Sequence, residues 1–230
     1  MSKFKKFTQL KKNSKEEVDA LYEILGIDKK DKNIEKINPD IPRIAELLEW
    51  NAEIEALEEG KASGHTLRVA YLSKKMAEEL GLDDDEVKNI YLGALFHDTG
   101  KHLISPKILS KPGPLTDEEY EIVKTHVTLA IDLVEDVVPV ESLAIIRGHH
   151  ERMDGSGYPD GIVPTNIGIK ILGLVDSYDA MTSNRVYNIP KSKDVTFQEL
   201  EWCTVPREKG GMGYLYDPKL VEILKKIVEE

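Results

Sequence analysis

The chain has 230 residues, 40% of them hydrophobic, enough for one core and at most a small appendage. Its 42 acidic residues outnumber 31 lysines and arginines, for a formal net charge of −11, and this argues against a nucleic-acid polymer as partner, since such binders carry a basic footprint. The single cysteine, Cys203, excludes an internal disulfide and suits a reducing cytoplasm, no apolar run approaches the ~18 residues of a membrane span, and the lysine-rich N-terminus lacks the apolar stretch of a secretory signal.

Helical periodicity dominates the chain. Ser14 and Glu17 form a capping-box pattern ahead of a stripe of Val18, Leu21, Tyr22 and Leu25, and Gly26 stops that helix. A polar linker follows, ending in Asn-Pro. Pro42 opens a second helix carrying Ile44, Leu47, Leu48, Ile54 and Leu57, which ends near Gly60. Helices are next expected from His65 to Leu80, and from the Asp83–Asp85 cap through Leu95 to His97 and Asp98, closed by Gly100. Residues 101–115, rich in proline and lysine, read as a loop. Thr116 and Glu119 cap a helix running through His126 to Glu135. Another covers 140–150, and a glycine-rich loop leads to a helix from Ile167 to Thr182. Thr196 with Glu199 caps a short helix, and Asp217-Pro218 starts the last. No segment shows convincing strand alternation, so the expected class is all-α, a bundle of roughly nine helices.

All six histidines invite attention because five lie on predicted helices, on or near the apolar face. A lone helical histidine is usually structural. The set His65, His97-Asp98, His126, His149-His150 and Asp176 is different, because it spans five helices and a bundle builds metal sites by projecting such side chains inward. Neighbours on a helix point about 100° apart, so each adjacent pair suits two nearby ions better than one. Asp98 is a natural bridge, and two ions a few ångströms apart can serve an in-line phosphoryl displacement. Lys101, three residues after Asp98, can neutralise a phosphate oxygen or a leaving alkoxide. It can equally be an exposed lysine favoured by a helix C-terminus.

The stretches "GHTLRVA", "ALFHDTGKHLISPKILSKPGPLTDEE", "HVTLAIDLV", "HHERMDGSGYPDG", "VDSYDAMTSNRVY" and "LYDPKLV" resemble the HD-GYP family of HD metal-dependent phosphohydrolases, in the family's order, over residues ~64 to ~225. The resemblance implies an HD-domain helical bundle over residues 61–230; residues 1–60, where the family usually carries a sensory domain, are read from their own pattern as a helical extension for dimerisation or a signalling partner. It implies a cytoplasmic phosphodiesterase that converts cyclic di-GMP to linear pGpG, and in some members on to GMP, by attack of a hydroxide bridging two metals. Carried over by position, the metal ligands are His65, His97, Asp98, His126, His149, His150 and Asp176, holding iron or manganese. Lys101 is expected at the scissile phosphate, Tyr158 at the substrate pocket and Arg185 on a substrate phosphate. Arg68 and Asp179 are further candidates for substrate contact, and Asp179 alternatively supports the ligand helix by hydrogen bonding. Trinuclear members carry a glutamate four residues before the first histidine. Lys61 stands there in this chain and points to two metals rather than three. Asn188 and Ile189 replace basic residues common after the family arginine, which leaves another cyclic dinucleotide, such as cyclic GMP-AMP, as the alternative substrate. The remaining alternative is a catalytically weak module that binds cyclic dinucleotides.

Overall fold

A computed structural model describes residues 41–59, 64–183 and 189–229. The helix expected from Ser14 to Leu25, and Lys61, Arg185 and Asn188, lie outside the described residues. Among those described there are ten α-helices and no strand, so the all-α expectation holds. They are α1 (Ile41–Glu59), α2 (His65–Glu79), α3 (Asp84–Phe96), α4 (Pro106–Leu109), α5 (Asp117–Lys124), α6 (His126–Val134), α7 (Val140–Gly148), α8 (Ile167–Thr182), α9 (Lys193–Trp202) and α10 (Pro218–Glu229). Short 3-10 turns span Thr99–Leu103 and Arg207–Lys209. No described helix is long and apolar enough to cross a membrane.

Local chemistry explains most boundaries. Both capping boxes close reciprocally: Glu86 N donates to Asp83 and Asp83 N to Glu86, and Thr116 pairs with Glu119 in the same way. Three expectations need correction. The helix predicted from Thr116 to Glu135 breaks at Thr125, whose hydroxyl donates to the Ile122 carbonyl at 2.7 Å while its backbone N–H donates to the same carbonyl at 3.1 Å. That local competition converts the ladder to i, i+3 bonding and lets α6 set off at a new angle. The 101–115 loop contains a 3-10 turn and α4, the latter started by Pro106. Helix α9 is capped by Ser192 rather than Thr196, because Thr196 is fully buried inside the helix.

Helix α8 is the hub. It packs against α2, α3, α7, α9 and α10, and Ile171, Leu172, Leu174 and Val175 are fully buried along it. The same core takes Met76 from α2, Leu95 and Phe96 from α3, Ile146 from α7 and Leu224 from α10. Helix α1 joins it through Ile44, Leu47 and Leu48, and a second cluster of Ile54, Ile104 and Leu109 seats the first 3-10 turn and α4 beneath α1. Polar groups on α1 finish the attachment. Asn51 Nδ2 donates to the Leu95 carbonyl at 2.8 Å, and its Oδ1 accepts from Thr99 Oγ1 at 2.9 Å. Buried Glu55 accepts from the N–H groups of Gly64 and Thr66, both at 2.8 Å, and so satisfies donors at the start of α2. These bonds fix the end of α3 and the start of α2, the two places where His97 and His65 emerge.

The 3-10 turn lies so close to α6 that Gly100 has no room for a side chain: a Cβ there would sit 2.0 Å from the His126 carbonyl oxygen and 2.6 Å from Ala130 N. Both obstacles are backbone and cannot swing aside. Gly100→Ala is therefore expected to cost about 3 kcal/mol, the upper end for overpacking, read as a lowered unfolding midpoint in thermal or urea denaturation.

Candidate metal centre

Three of the four histidines that converge here share one device. The Nδ1–H of His97 donates to the Ala94 carbonyl at 2.8 Å, that of His126 to Val123 at 2.7 Å, and that of His149 to Ile146 at 2.7 Å. Each acceptor lies three residues back, where a helix end leaves its carbonyl open. His65, at the first position of α2, is held instead by Asp179 of α8, with Nδ1 to Oδ2 at 2.7 Å. With Nδ1 occupied, all four rings turn Nε2 toward one point. His97 Nε2 is buried with no hydrogen-bond partner, which is costly for a group meant only to pack and suits one meant to coordinate a cation.

The converging atoms sort into two halves. His65 Nε2 lies 3.7 Å from Asp98 Oδ2 and 3.5 Å from Asp176 Oδ1, and His97 Nε2 lies 3.4 and 3.8 Å from the same two atoms. On the other side His126 Nε2 lies 3.4 Å from Asp98 Oδ1 and 3.4 Å from His149 Nε2. His126, His149 and His150 form one group with ligand atoms all within 4.8 Å of one another; His65, His97 and Asp98 form a second, and His97, His149 and Asp176 a third. Asp98 thus turns one oxygen to each half. These His and Asp clusters are able to hold divalent metal.

Charge is concentrated accordingly. Burial opposes ionisation of Asp98, yet His97, Lys101 and His65 outweigh it and hold the carboxyl well below its usual range. Asp176 is likewise held down, against burial, by His97 and His65. For His65 burial disfavours the cation, but hydrogen bonds to Asp179 and Asp98 prevail and push its pKa up to about 10. His149 and His150 go the other way: burial and neighbouring histidines depress both well below the usual value. His149 and His150 are thereby held as neutral imidazoles beside ionised carboxylates, the protonation states that metal ligation requires, whereas His65 shares its proton with Asp179 and Asp98.

Lys101 is not an exposed lysine. Its Nζ is buried and donates to Asp98 Oδ2 at 2.9 Å and to Glu58 Oε1 and Oε2 at 2.9 and 3.2 Å. Glu58, on α1, was invisible to sequence reasoning because nothing in the spacing ties it to the HD motif. Asp179 accepts from His65, from Arg68 Nε at 2.6 Å and Nη2 at 2.9 Å, and from Ser183 Oγ at 3.1 Å. Arg68 and Asp179 thus stand together one step behind His65. The Tyr158 ring stacks on His150, 4.6 Å between centroids, and meets Tyr120 edge-on at 6.4 Å. Glu151 was also missed. Its buried carboxylate accepts from the N–H groups of Asp160 (2.7 Å), Gly161 (3.1 Å) and Ile162 (3.0 Å), which pins the loop just past Tyr158. Gly157 makes this possible, since a Cβ there would lie 2.4 Å from both Glu151 Cα and the His150 carbonyl. His102, read as a loop histidine, stacks on Trp50 of α1 at 4.3 Å and stays outside the centre.

A model of the HD domain matches residues 49–202. A cyclic di-GMP phosphodiesterase of Thermotoga maritima is 38% identical over 192 residues, covering 81% of this chain and 49% of the relative. The 3′3′-cGAMP-specific phosphodiesterase 3 of Vibrio cholerae serotype O1 is 33% identical over 142 residues, covering 60% of this chain and 31% of the relative. The chain thus spans about half the length of the Thermotoga protein and less of the Vibrio one. Among solved structures, an HDG"Y"P protein from Bdellovibrio bacteriovorus aligns with a TM-score of 0.58 at 20% identity, covering 83% of this chain and 62% of the other, a likeness of fold.

Two outcomes follow from the supporting groups. Asp179→Ala removes the acceptor that orients His65 and should weaken retention of divalent metal by about 10–100-fold, measured by competition with a chelator. Glu151→Ala leaves three loop N–H groups without their acceptor, so amide hydrogen exchange should accelerate at residues 160–162 while α8 keeps its protection.

Proposed function

The chain belongs to the HD-domain family, with the motifs of its HD-GYP branch, and from that premise we propose that it is a metal-dependent phosphodiesterase that linearises cyclic di-GMP to pGpG. The observation that carries this reading is the division of the donors into two halves that share Asp98 through its two oxygens. In this reading His65, His97, Asp98 and Asp176 hold one ion, and Asp98, His126, His149 and His150 hold the other. Iron or manganese suits this mixture of imidazole and carboxylate. The bound ions supply an activated water and a counter-charge for the phosphate oxygens.

The rest falls to the protein's own groups. Lys101, already within hydrogen-bond reach of Asp98, neutralises charge on the departing 3′ oxygen. Tyr158 forms a wall over His150 and keeps bulk water from that flank. Arg68 and Asp179 act through His65 as positioning residues. Arg185 is the proposed phosphate contact beyond α8. The Vibrio relative, named for 3′3′-cGAMP, supports a mixed cyclic dinucleotide as the second substrate reading.

Protein purified without oxygen should contain about two transition-metal ions per chain by elemental analysis and convert cyclic di-GMP to pGpG by chromatography. Asp98→Ala removes the shared ligand and should lower turnover by at least about a hundredfold, beyond the loss typical of supporting groups. A fully metal-loaded protein that turned over no cyclic dinucleotide would overturn the proposal.

A further inference from the structure

Beside the centre lies a cavity of about 240 Å³, walled by Ile108, Leu109, Pro114, Leu115 and Val123, with Glu58 as its carboxylate. Apolar walls with a few convergent polar groups, here Glu58 and Lys111, are the usual make-up of a small-molecule site, and the volume falls below the ~300 Å³ at which drug-sized pockets begin. It suits one planar heterocycle rather than a whole dinucleotide. We propose that this cavity is a base subsite for the substrate and that Glu58 selects guanine. The inference rests on the cyclic-dinucleotide reading and names the part of the substrate that it recognises.

Position and chemistry both carry it. Two successive 2.9 Å hydrogen bonds, Glu58 to Lys101 and Lys101 to Asp98, separate the cavity's carboxylate from the metal-facing oxygen. The cavity's carboxylate therefore adjoins the centre, and one nucleotide is long enough to reach from one to the other. Guanine presents its N1–H and 2-amino group side by side, a pair of donors matched to the two oxygens of a carboxylate. Each Glu58 oxygen accepts one bond from Lys101 and keeps a second lone pair for the base. Adenine offers a bare N1 at the same edge, whose lone pair meets the carboxylate with repulsion. The flat faces of the base lie against Ile108, Leu109, Leu115 and Val123. Lys101 then serves two ends of one substrate, touching the group that reads the base and the ligand that faces the phosphate.

The test is equilibrium binding of GMP, IMP and AMP to the manganese-loaded full chain by calorimetry, since the three share a phosphate and differ only at that edge. The expected order is GMP, then IMP, then AMP, with GMP at least about tenfold tighter than AMP, the discrimination of a good bidentate pair. Glu58→Gln should bring the GMP and AMP affinities to within about twofold. Leu115→Trp, which narrows the cavity without touching Lys101, should weaken GMP about tenfold. Equal binding of the three nucleotides, a preference kept in Glu58→Gln, or GMP affinity unchanged in Leu115→Trp overturns the subsite. Competition of cyclic di-GMP with cyclic di-AMP in one reaction separates the two proposals. Hydrolysis of both at one rate removes the guanine subsite and leaves the phosphodiesterase, whereas a GMP preference without hydrolysis does the reverse. If Glu58 served only to hold Lys101, Glu58→Gln would slow both substrates equally and leave their ratio unchanged.

Discussion

Three helix-end carbonyls, those of Ala94, Val123 and Ile146, each take the Nδ1–H of a histidine three residues ahead. The rest of the centre depends on that constraint. A helix end normally loses its last carbonyls to water or to a cap. Here a histidine side chain takes the carbonyl instead, so the bond made at the helix end also sets the tautomer and the ring direction. The Thr125 break is part of the same economy of groups, because it exposes the Val123 carbonyl at the start of α6 where His126 needs it. Asp179 does for His65 what the backbone does for the others, since His65 begins a helix and has no earlier turn behind it.

Much of this was legible in the sequence. The six histidines are few enough, and the HD and HH pairs distinct enough, that a candidate set could be named before any geometry, and the structure brings His65, His97, Asp98, His126, His149, His150 and Asp176 together. Helix class was legible because caps such as Asp83–Glu86 and Thr116–Glu119 are local in sequence and obey local rules. Hidden were interactions between segments far apart in the chain. Glu58 meets Lys101 across 43 positions, and Asp179 meets His65 across 114. No periodicity or motif spacing encodes such pairs. The start of α9 was misplaced for a related reason: Thr196 and Ser192 both offer a hydroxyl, and only tertiary burial of Thr196 decides between them.

The site also shows how one buried cation is kept tolerable. Lys101 stands among carboxylates on both sides, and removing either partner of a buried pair generally costs 3–5 kcal/mol. Such a lysine is not free to drift, which suits the role proposed for it, meeting a transient charge at a defined place.

Helix α1 deserves its own conclusion. Through Asn51, Glu55 and Glu58 it holds the turn after α3, the first turn of α2 and the ammonium of Lys101. A fragment begun at residue 61 would lose Asn51, Glu55 and Glu58, and with them all three attachments. Anything that displaces this 19-residue helix therefore displaces the groups that hold Lys101 and the first turn of α2.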